Sequence, residues 1–345
     1  MTFSSPADGS RAMRAPMPFI LLVVIFAALL IAICGLSVML GPRTIAPADI
    51  VAAFRANDGG ADHTTVLSLR VPRTVIGVMA GMALGISGAL LQAMTRNPLA
   101  DTGVLGINAG AAFAMVLGIA FFGVTSASGL VWFSFIGTGV TALGVYSIAA
   151  SGKFGATPLR LILAGVALGA LIRGLTAALV LTNPVIFDQM LSWDVGTLAL
   201  IGGGRITVVL PFILTGLILA ASLAPALQIL SLGDQSAKAL GASLIRTRAL
   251  TLLAVILLTG AATAACGPIG FLGLMAPQMA RAICGAHQPR IMALTVLIAP
   301  AILLGADLMG RMVMRPGDID VGIVMAILGA PMLIYVVMRR KVAAL

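Results

Sequence analysis

The segment that decides the fold is GALLQAMTRNPLADTGVLGINAGA, which runs from Gly88 to Ala111 and joins two long apolar runs. Its centre, RNPLAD at residues 96–101, is polar, and Pro98 ends any helix that enters it because proline lacks a backbone donor. Small residues that let another backbone approach closely follow at Gly103, Gly106 and Gly110. A polar turn at membrane depth is tolerated only beside protein or water. The segment therefore predicts a chain that leaves one span, turns tightly and goes back into the membrane.

The composition is that of an integral membrane protein. The mean hydropathy is +1.13, and 60% of the residues are hydrophobic while only 9% are charged. A soluble domain carries about 25% charged residues, so the apolar surface of this chain must be solvated by a lipid bilayer. The 40 glycines and the few aromatic residues favour closely packed helices over a lipid-facing β-barrel.

Two features that could indicate other functions have simpler explanations. The formal net charge of +10 could indicate a nucleic-acid-binding protein, but positive residues in the loops of a membrane protein set its topology. We therefore expect no nucleic-acid partner. The cysteines are odd in number and lie far apart in apolar runs, so we expect neither a disulfide nor a metal site at Cys34, Cys266 and Cys284.

The apolar runs have the length of transmembrane helices, about 20 residues. Residues 1–18 are expected to be a polar tail, and residues 19–345 a single transmembrane domain of all-α fold. A short helix could also form over Pro47–Phe54. The ten predicted spans cover residues 19–40, 72–94, 104–122, 130–150, 159–181, 205–225, 248–266, 268–284, 291–313 and 321–338.

Ten spans place both termini on the same side of the membrane. Counted by alternation, that side carries about twice as many Lys and Arg residues as the other, which predicts that both termini are cytoplasmic. A nine-span arrangement would separate the positive residues of the two termini, so we favour ten spans. Five spans in each half would make the two halves inverted repeats, as in many transporters.

The sequence offers no obvious carboxylate for ion coupling. It contains no Glu, and its eleven Asp residues fall in the tail, in loops or at span ends. The deepest, Asp307, lies one turn before Arg311, and an intrahelical ion pair is the simplest explanation of both. An ion-coupled carrier needs acids or unwound helices at mid-membrane. Energy is therefore expected from a partner, unless the protein is a channel.

We expect the chain to be neither an ATPase nor any other enzyme, and to bind no cofactor. Its only Gly-Lys pair, Gly152-Lys153, is followed by Phe154 and lacks the upstream glycine of a Walker A loop. The polar linker 227–247 could instead dock a soluble partner. Asp234 is placed to cap a short helix that ends at Gly241, and Ser243 to cap the next helix. An ordinary solvated loop is the alternative.

Arg173 lies inside the predicted span 159–181, about three-fifths of the way to the outer face. A charged side chain at the centre of a span costs about 2.5–3.5 kcal/mol on insertion scales. It should therefore face a cavity or a partner, where it would line a passage for an anionic solute. The alternative is that it extends outward or pairs with Asp188 or Asp194.

Several short motifs, taken together, resemble the iron-siderophore and vitamin B12 ABC importer permeases. Each motif alone is weak, but their order and spacing are specific, and they extend over nearly the whole chain. They are LRVPRT (69–74), SGALLQ (87–92), RNPLAD (96–101), LAGV (163–166), SLG and ALG (231–233 and 239–241), GPIGFLGL (267–274) and GAP (329–331).

The resemblance implies a type II ABC importer permease fold of about ten transmembrane helices in the bacterial inner membrane. It implies a second homologous permease subunit around a shared pathway and two cytoplasmic ATPase subunits, which would hold ATP and Mg. It also implies a periplasmic or lipid-anchored binding protein that delivers the ligand. Cofactors and bond-making chemistry would belong to these partners and not to this chain.

The resemblance also assigns roles to individual residues. Arginines that meet acidic residues of the binding protein would be Arg70, Arg73 and Arg311. The ATPase-coupling segment would contain Gly233, Asp234, Ala237, Leu240 and Gly241. The pathway would include Arg173, with the cytoplasmic gate near Thr157 and Pro158. The structural motif at the re-entrant turn would be Gln92, Asn97, Pro98 and Asp101.

Within the family, two segments resemble the ferric-enterobactin branch, which works as a heterodimer: LGINAGA (105–111), and Asn183-Pro184 with Asp188-Gln189 and Trp193. The cargo would then be a ferric siderophore of the catecholate type, moved by alternating access. The same machine with haem or vitamin B12 as cargo is the near alternative, and an ion-coupled secondary transporter the distant one. Gln278 departs from many members of the family, which carry His at that position, and this weakens any role for a His there.

Overall fold

The computed structural model describes residues 18–41, 43–55, 59–103, 106–151, 158–199, 204–315 and 317–342. These residues form helices and connecting turns, with no strand among them. In chain order the helices are α1 (Phe19–Met39), α2 (Pro47–Arg55), α3 (Ala61–Thr64, continued by a π-helical turn over Thr65–Arg70), α4 (Val71–Thr95), α5 (Ile107–Phe122), α6 (Ala127–Ala150), α7 (Pro158–Thr182), α8 (Pro184–Asp194), α9 (Gly204–Leu230), α10 (Asp234–Ala239), α11 (Leu244–Cys266), α12 (Leu272–Cys284), α13 (Gln288–Val313) and α14 (Val321–Val342).

Each of the ten predicted spans contains a helix, and the predicted all-α membrane fold is confirmed. Within the described residues, 7 helices are long and apolar enough to cross a membrane, and two apolar helices are shorter. The short helix considered over Pro47–Phe54 is present as α2. The helix α8 was not predicted, because its segment reads as a polar connection.

Two of the helices that occupy predicted spans are too short to cross a bilayer. α5 has 16 residues and α12 has 13. At 1.5 Å per residue these helices extend about 24 Å and about 20 Å, whereas the hydrocarbon layer is about 30 Å thick. Both begin inside the molecule, α5 after the loop that follows α4 and α12 after the turn at residues 267–271. The fold therefore contains two broken helices.

α4 is the central helix of the molecule. Every residue from Ala83 to Thr95 is buried, and the helix packs against α9, α11, α12 and α13. A Cβ atom on Gly88 would overlap the carbonyl oxygen of Gly273, and one on Gly81 would overlap the backbone of Pro300. The small residues of α4 thus let the backbones of α12 and α13 touch it directly.

The loop after α4 runs back into the molecule, as the sequence predicts. Arg96 ends α4 in the left-handed conformation, with φ 51°, and Gly106, with φ 68°, precedes α5. Residues 100–102 between them are buried. Gly106 packs against the backbone of Gly165, which lies about 10 Å along α7 from the first residue of that helix. The start of α5 is therefore well inside the spanning layer.

The two faces of the molecule are named after the predicted topology. The inner face carries Arg96 and α10, and the outer face carries the end of α1.

Candidate functional site

A cavity of about 640 Å³ lies among α5, α7, α8 and the turn that precedes α12. Its lining is mostly apolar and includes Ala112, Val180 and Phe187. Four polar side chains project from this lining: Asn108, Arg173, Thr176 and Asp194. Ligand sites in proteins commonly have this character, an apolar wall with a few polar groups that orient the ligand.

The broken helices supply the irregular backbone of this cavity. Asn108, in the first turn of α5, lines it together with Gly103 from the re-entrant loop and Gly270 from the turn before α12. The first N–H groups of a helix have no intrahelical partner, and they give its N-terminus a partial positive charge. Irregular backbone at membrane depth is stable only in protein or beside a water-filled cavity. The start of α5 is thus suited to face a polar or anionic solute.

Arg173 is an exposed residue of α7 that lines the same cavity as Asp194, the last residue of α8. Burial raises the pKa of the Asp194 carboxyl, and the positive charge of Arg173 opposes that rise. Arg173 therefore lines a cavity, as one of the two alternatives drawn from the sequence has it. Its role in the pathway stays a prediction. Asp188 is not among the residues that line the cavity.

The two residues predicted near the gate cannot be placed in the same way. Thr157 lies outside the described residues, and Pro158 is the first residue of α7. Their role stays a prediction.

Two glutamines tie the start of α12 to α4 and to the re-entrant loop. The Nε2 of Gln92 donates to the carbonyl oxygen of Gly273 at 3.0 Å. The Nε2 of Gln278 lies 2.8 Å from the carbonyl oxygen of Pro98 and 3.1 Å from the Oε1 of Gln92. Buried polar groups that are joined in this way fix the relative position of the elements that carry them. Gln278 therefore positions the loop, a role that was not predicted for it.

Asn97 and Asp101 shape the re-entrant loop itself. The Oδ1 of Asn97 accepts a hydrogen bond from the backbone N–H of Leu99 at 3.0 Å, and the carboxylate of Asp101 accepts one from Gly103 at 3.2 Å. Burial raises the pKa of Asp101, and the neighbouring backbone N–H groups oppose this rise. Such side-chain-to-backbone bonds are typical of tight turns. Asn97, Pro98 and Asp101 of the predicted structural motif thus lie at the turn, and Gln92 lies near the end of α4, joined to Pro98 through Gln278.

The predicted caps of the linker are wrong. Gly233, with φ 104°, is the N-cap of α10, and Asp234 is its first helical residue. The carboxylate of Asp234 instead bonds to Arg96 at 2.7 Å and to Arg248 at 2.8 Å. Ser243 does occupy the N-cap position of α11, but its side chain makes no capping hydrogen bond. Two charged partners outcompete the local N–H groups for the Asp234 carboxylate, since charge-assisted hydrogen bonds are the stronger ones.

The segment around α10 presents apolar side chains at the inner face. Leu232 and Leu240 are more than half exposed, and Ile245 is 82% exposed. Ala237 is buried beneath them, and Gly241 turns the chain toward α11 with φ 79°. Exposed apolar residues next to a polar surface are typical of a site for a protein partner.

The three arginines predicted to dock the binding protein line a second cavity, at the outer face. This recess has a volume of about 350 Å³, and Arg43 and Asp318 line it together with Arg70, Arg73 and Arg311. Each of the three arginines has less than one-tenth of its surface exposed to solvent. They are therefore walls of a recess and not free surface charges. Their docking role stays a prediction.

Arg70 and Arg311 also stabilise the end of α1. The Nη1 of Arg70 donates to the carbonyl oxygens of Val38 and Met39 at 2.8 and 2.7 Å. The Nη1 of Arg311 donates to the carbonyl oxygen of Ser37 at 3.0 Å. The last carbonyl groups of a helix have no intrahelical donor, and these guanidinium groups supply one.

Arg73 belongs to a buried network of charges. Its guanidinium lies 2.8 Å from Asp307 and 2.8 Å from Asp318. Asp307 also lies 2.9 Å from Arg311, one turn further along α13. The predicted intrahelical pair of Asp307 and Arg311 is thus confirmed.

Comparison with known proteins places the chain in one family. The FecCD transport family matches residues 28–339, which is most of the chain. The chain belongs to the FecCD transport family.

Individual FecCD relatives match along nearly their whole length. The chain is 45% identical over 312 residues to the ferric enterobactin transport system permease protein FepD of Escherichia coli K12, which covers 90% of the chain and 93% of FepD. It is 35% identical over 334 residues to the iron(3+)-hydroxamate import system permease protein FhuG of Bacillus subtilis, with 94% and 98% covered. The family resemblance inferred from the motifs is confirmed.

A solved structure supports the fold of this FecCD chain. An inward-facing conformation of a metal-chelate type ABC transporter matches with a TM-score of 0.79 at 25% identity, and covers 93% of this chain and 99% of that one. The chain is therefore a multi-pass membrane permease of the ABC transporter type.

Proposed function

We propose that this FecCD-family chain is the transmembrane permease subunit of an ABC importer that carries a ferric siderophore, of the catecholate type, across the bacterial inner membrane by alternating access. The observation that carries the proposal is the 45% identity with the ferric enterobactin permease FepD over 90% of the chain. ATP hydrolysis would belong to separate ATPase subunits, and this chain would supply the pathway.

The chemistry of the cavity supports an anionic cargo. A ferric tris-catecholate carries net negative charge, because its deprotonated oxygens outnumber the charges on the iron. Arg173 and the N-terminus of α5 place positive groups at the cavity, Asp194 opposes the charge of Arg173, and most of the wall is apolar. A wall of this kind lets a bulky chelate enter without holding it tightly, which a transport pathway requires.

The partners are proposed from the two faces of the molecule. The segment around α10, with its exposed Leu232, Leu240 and Ile245, would receive one of two ATPase subunits, which bind ATP and Mg. A second homologous permease subunit would complete the pathway, in a heterodimer. Because the ATPase subunits are cytoplasmic, the inner face and both termini would be cytoplasmic. The binding protein would act at the outer face.

The outer recess supports docking by carboxylates. Arg43, Arg70, Arg73 and Arg311 line it, against one acid, Asp318. An acidic side chain of a periplasmic or lipid-anchored binding protein that entered this recess would meet guanidinium groups already held in place by their bonds to α1 and α13. Such charge pairs set orientation and association rate more than affinity, and salt screens them.

Uptake of radioactive iron tests the proposed function. Cells that lack this chain, with and without complementation, would be given catecholate, hydroxamate and citrate complexes of labelled iron, with haem and labelled vitamin B12 as separate cargos. We expect catecholate uptake to be lost and then restored by complementation. Loss of another cargo alone would keep the importer and replace the substrate. Transport that persists without any ATPase would overturn the importer in favour of an ion-coupled carrier.

A further inference from the structure

Asp234 joins two elements that are remote from each other. Its Oδ1 lies 2.7 Å from Arg96 and its Oδ2 lies 2.8 Å from Arg248. Arg248 is close in sequence, on the helix that follows, whereas Arg96 is 138 residues away, at the end of α4. One carboxylate therefore connects the first residue of α10 to the start of the re-entrant loop.

The backbone at Arg96 is in an unusual conformation. Among the described residues, only Arg96 and Phe271 have positive φ without being glycine. Each lies at the connection that precedes a broken helix, Arg96 before α5 and Phe271 before α12. A non-glycine residue pays a conformational cost there, so surrounding contacts must hold it in place. The pair with Asp234 is one such contact for Arg96, although both side chains are 39% exposed, so its contribution to stability is small.

A short chain of contacts leads from Arg96 to the cavity. The carbonyl oxygen of Pro98 is bonded to Gln278 at 2.8 Å, and the next residues, 100–102, are buried. Gly103 then lines the cavity, and α5 begins four residues later. The loop is short and bonded at several points, so it provides a continuous physical connection from Arg96 to the rim of the cavity.

We propose that Arg96 is a positioning residue that couples the docking segment, Gly233–Gly241, to the cavity. When an ATPase subunit moves this segment, the ion pair of Asp234 with Arg96 carries the displacement into the re-entrant loop and the start of α5. The inference rests on the proposed function, in which the docking segment receives an ATPase subunit.

Arg248 provides a matched control. It pairs with the same carboxylate at nearly the same distance, but it belongs to α11, which is joined to the docking segment by the chain itself. Loss of the Arg248 pair removes one of the two positive partners of Asp234. The pair of Asp234 with Arg96, and with it the connection to the re-entrant loop, stays in place. Two explanations are thereby separated: a general effect of charge at Asp234 and a specific link to the loop.

The test measures the amount of cargo imported per ATP hydrolysed. The assembled transporter, with its partner permease and ATPase subunits, is reconstituted in proteoliposomes and supplied with its binding protein and iron-labelled ferric enterobactin. We expect R96Q to keep ATP hydrolysis and to lower this ratio by about fivefold or more, a usual size for coupling between sites. R248Q should leave the ratio unchanged, and R96K should retain most of it.

Equal losses in R96Q and R248Q, or an unchanged ratio in R96Q, would overturn the inference. If R96Q does not assemble, D234N replaces it, because it removes the same ion pair from the other side. An unchanged ratio in D234N, in a complex that still hydrolyses ATP, would also overturn the inference.

Failure of the proposed function gives a different result. A wild-type complex that hydrolyses ATP and imports another chelate changes only the cargo, and the variants are then compared with that chelate. A wild-type chain that assembles with no ATPase and imports nothing overturns the proposed function, and this inference with it.

Discussion

At the scale of single residues, the carboxylate of Asp307 has the largest predicted effect on stability. It is fully buried and lies within 2.9 Å of both Arg73 and Arg311. The D307N substitution keeps the size of the side chain but leaves two buried guanidinium groups without this counter-charge. Breaking a buried pair in this way costs about 3–5 kcal/mol. We expect the free energy of unfolding in detergent to fall by that amount, as measured by denaturant titration.

Asp318 provides the control for this prediction. It pairs with Arg73 at the same distance as Asp307 does, but its side chain is 31% exposed. Its carboxylate keeps part of its hydration, whereas that of Asp307 is fully buried, so D318N should cost less than D307N. Similar losses in the two variants would show that burial does not decide the strength of these pairs.

At the scale of helices, the close approach of α4 and α12 depends on Gly88. A methyl group there would overlap the carbonyl oxygen of Gly273, which is backbone and cannot rotate away. The helices would have to separate, and overpacking of this kind costs about 1–3 kcal/mol. We expect G88A to lower the thermal unfolding temperature and to reduce uptake, because the start of α12 borders the turn that lines the cavity.

Gly305 serves as the matched position for that experiment. It lies inside α13, and no atom stands within 4 Å of the place where its Cβ would be. A Gly-to-Ala change at a helical site without strain stabilises by about 0.4–1 kcal/mol through the unfolded chain. G305A should therefore raise the unfolding temperature or leave it unchanged. A fall as large as that of G88A would mean that steric contact is not the cause.

The positions of the helices could be predicted from the sequence, because apolar runs of bilayer length leave few alternatives. The re-entrant loop was also predictable, since Pro98 and the glycines after it are local signals. α8 was not, because its polar residues, such as Asp188 and Asp194, resemble those of a loop. Local signals thus located the long helices, but they did not show that one polar connection contains a short helix.

The contacts between elements could not be predicted in the same way. The cap assigned to Asp234 was wrong because Arg96, distant in sequence, competes for the carboxylate. The bonds from Arg70 and Arg311 to the end of α1 depend on how three helices meet, which no local pattern encodes. For Gln278 a signal existed, since an amide inside an apolar helix must find a partner, but the sequence does not name that partner.

At the scale of the whole molecule, two charges of opposite sign oppose each other at the cavity. Arg173 and Asp194 are the charged residues among those that line it, and their formal charges cancel. An anionic chelate would be attracted by the first and repelled by the second. Neutralising Arg173 therefore leaves a net negative charge at the cavity, and neutralising Asp194 leaves a net positive one, while the apolar wall is unaltered.

This balance predicts opposite effects of two substitutions on uptake of ferric enterobactin. R173A should raise the apparent KM, because it leaves the negative charge of Asp194 alone, and D194N should lower it. A tenfold change corresponds to about 1.4 kcal/mol, a reasonable value for one charge at a partly hydrated site. R173K, which keeps the charge, and L175A, on the exposed surface of the same helix, should both stay close to wild type. If R173A and D194N shifted the KM in the same direction, or if R173A left uptake and KM unchanged, then charge at this cavity would not select the cargo, and selection would have to lie with the binding protein.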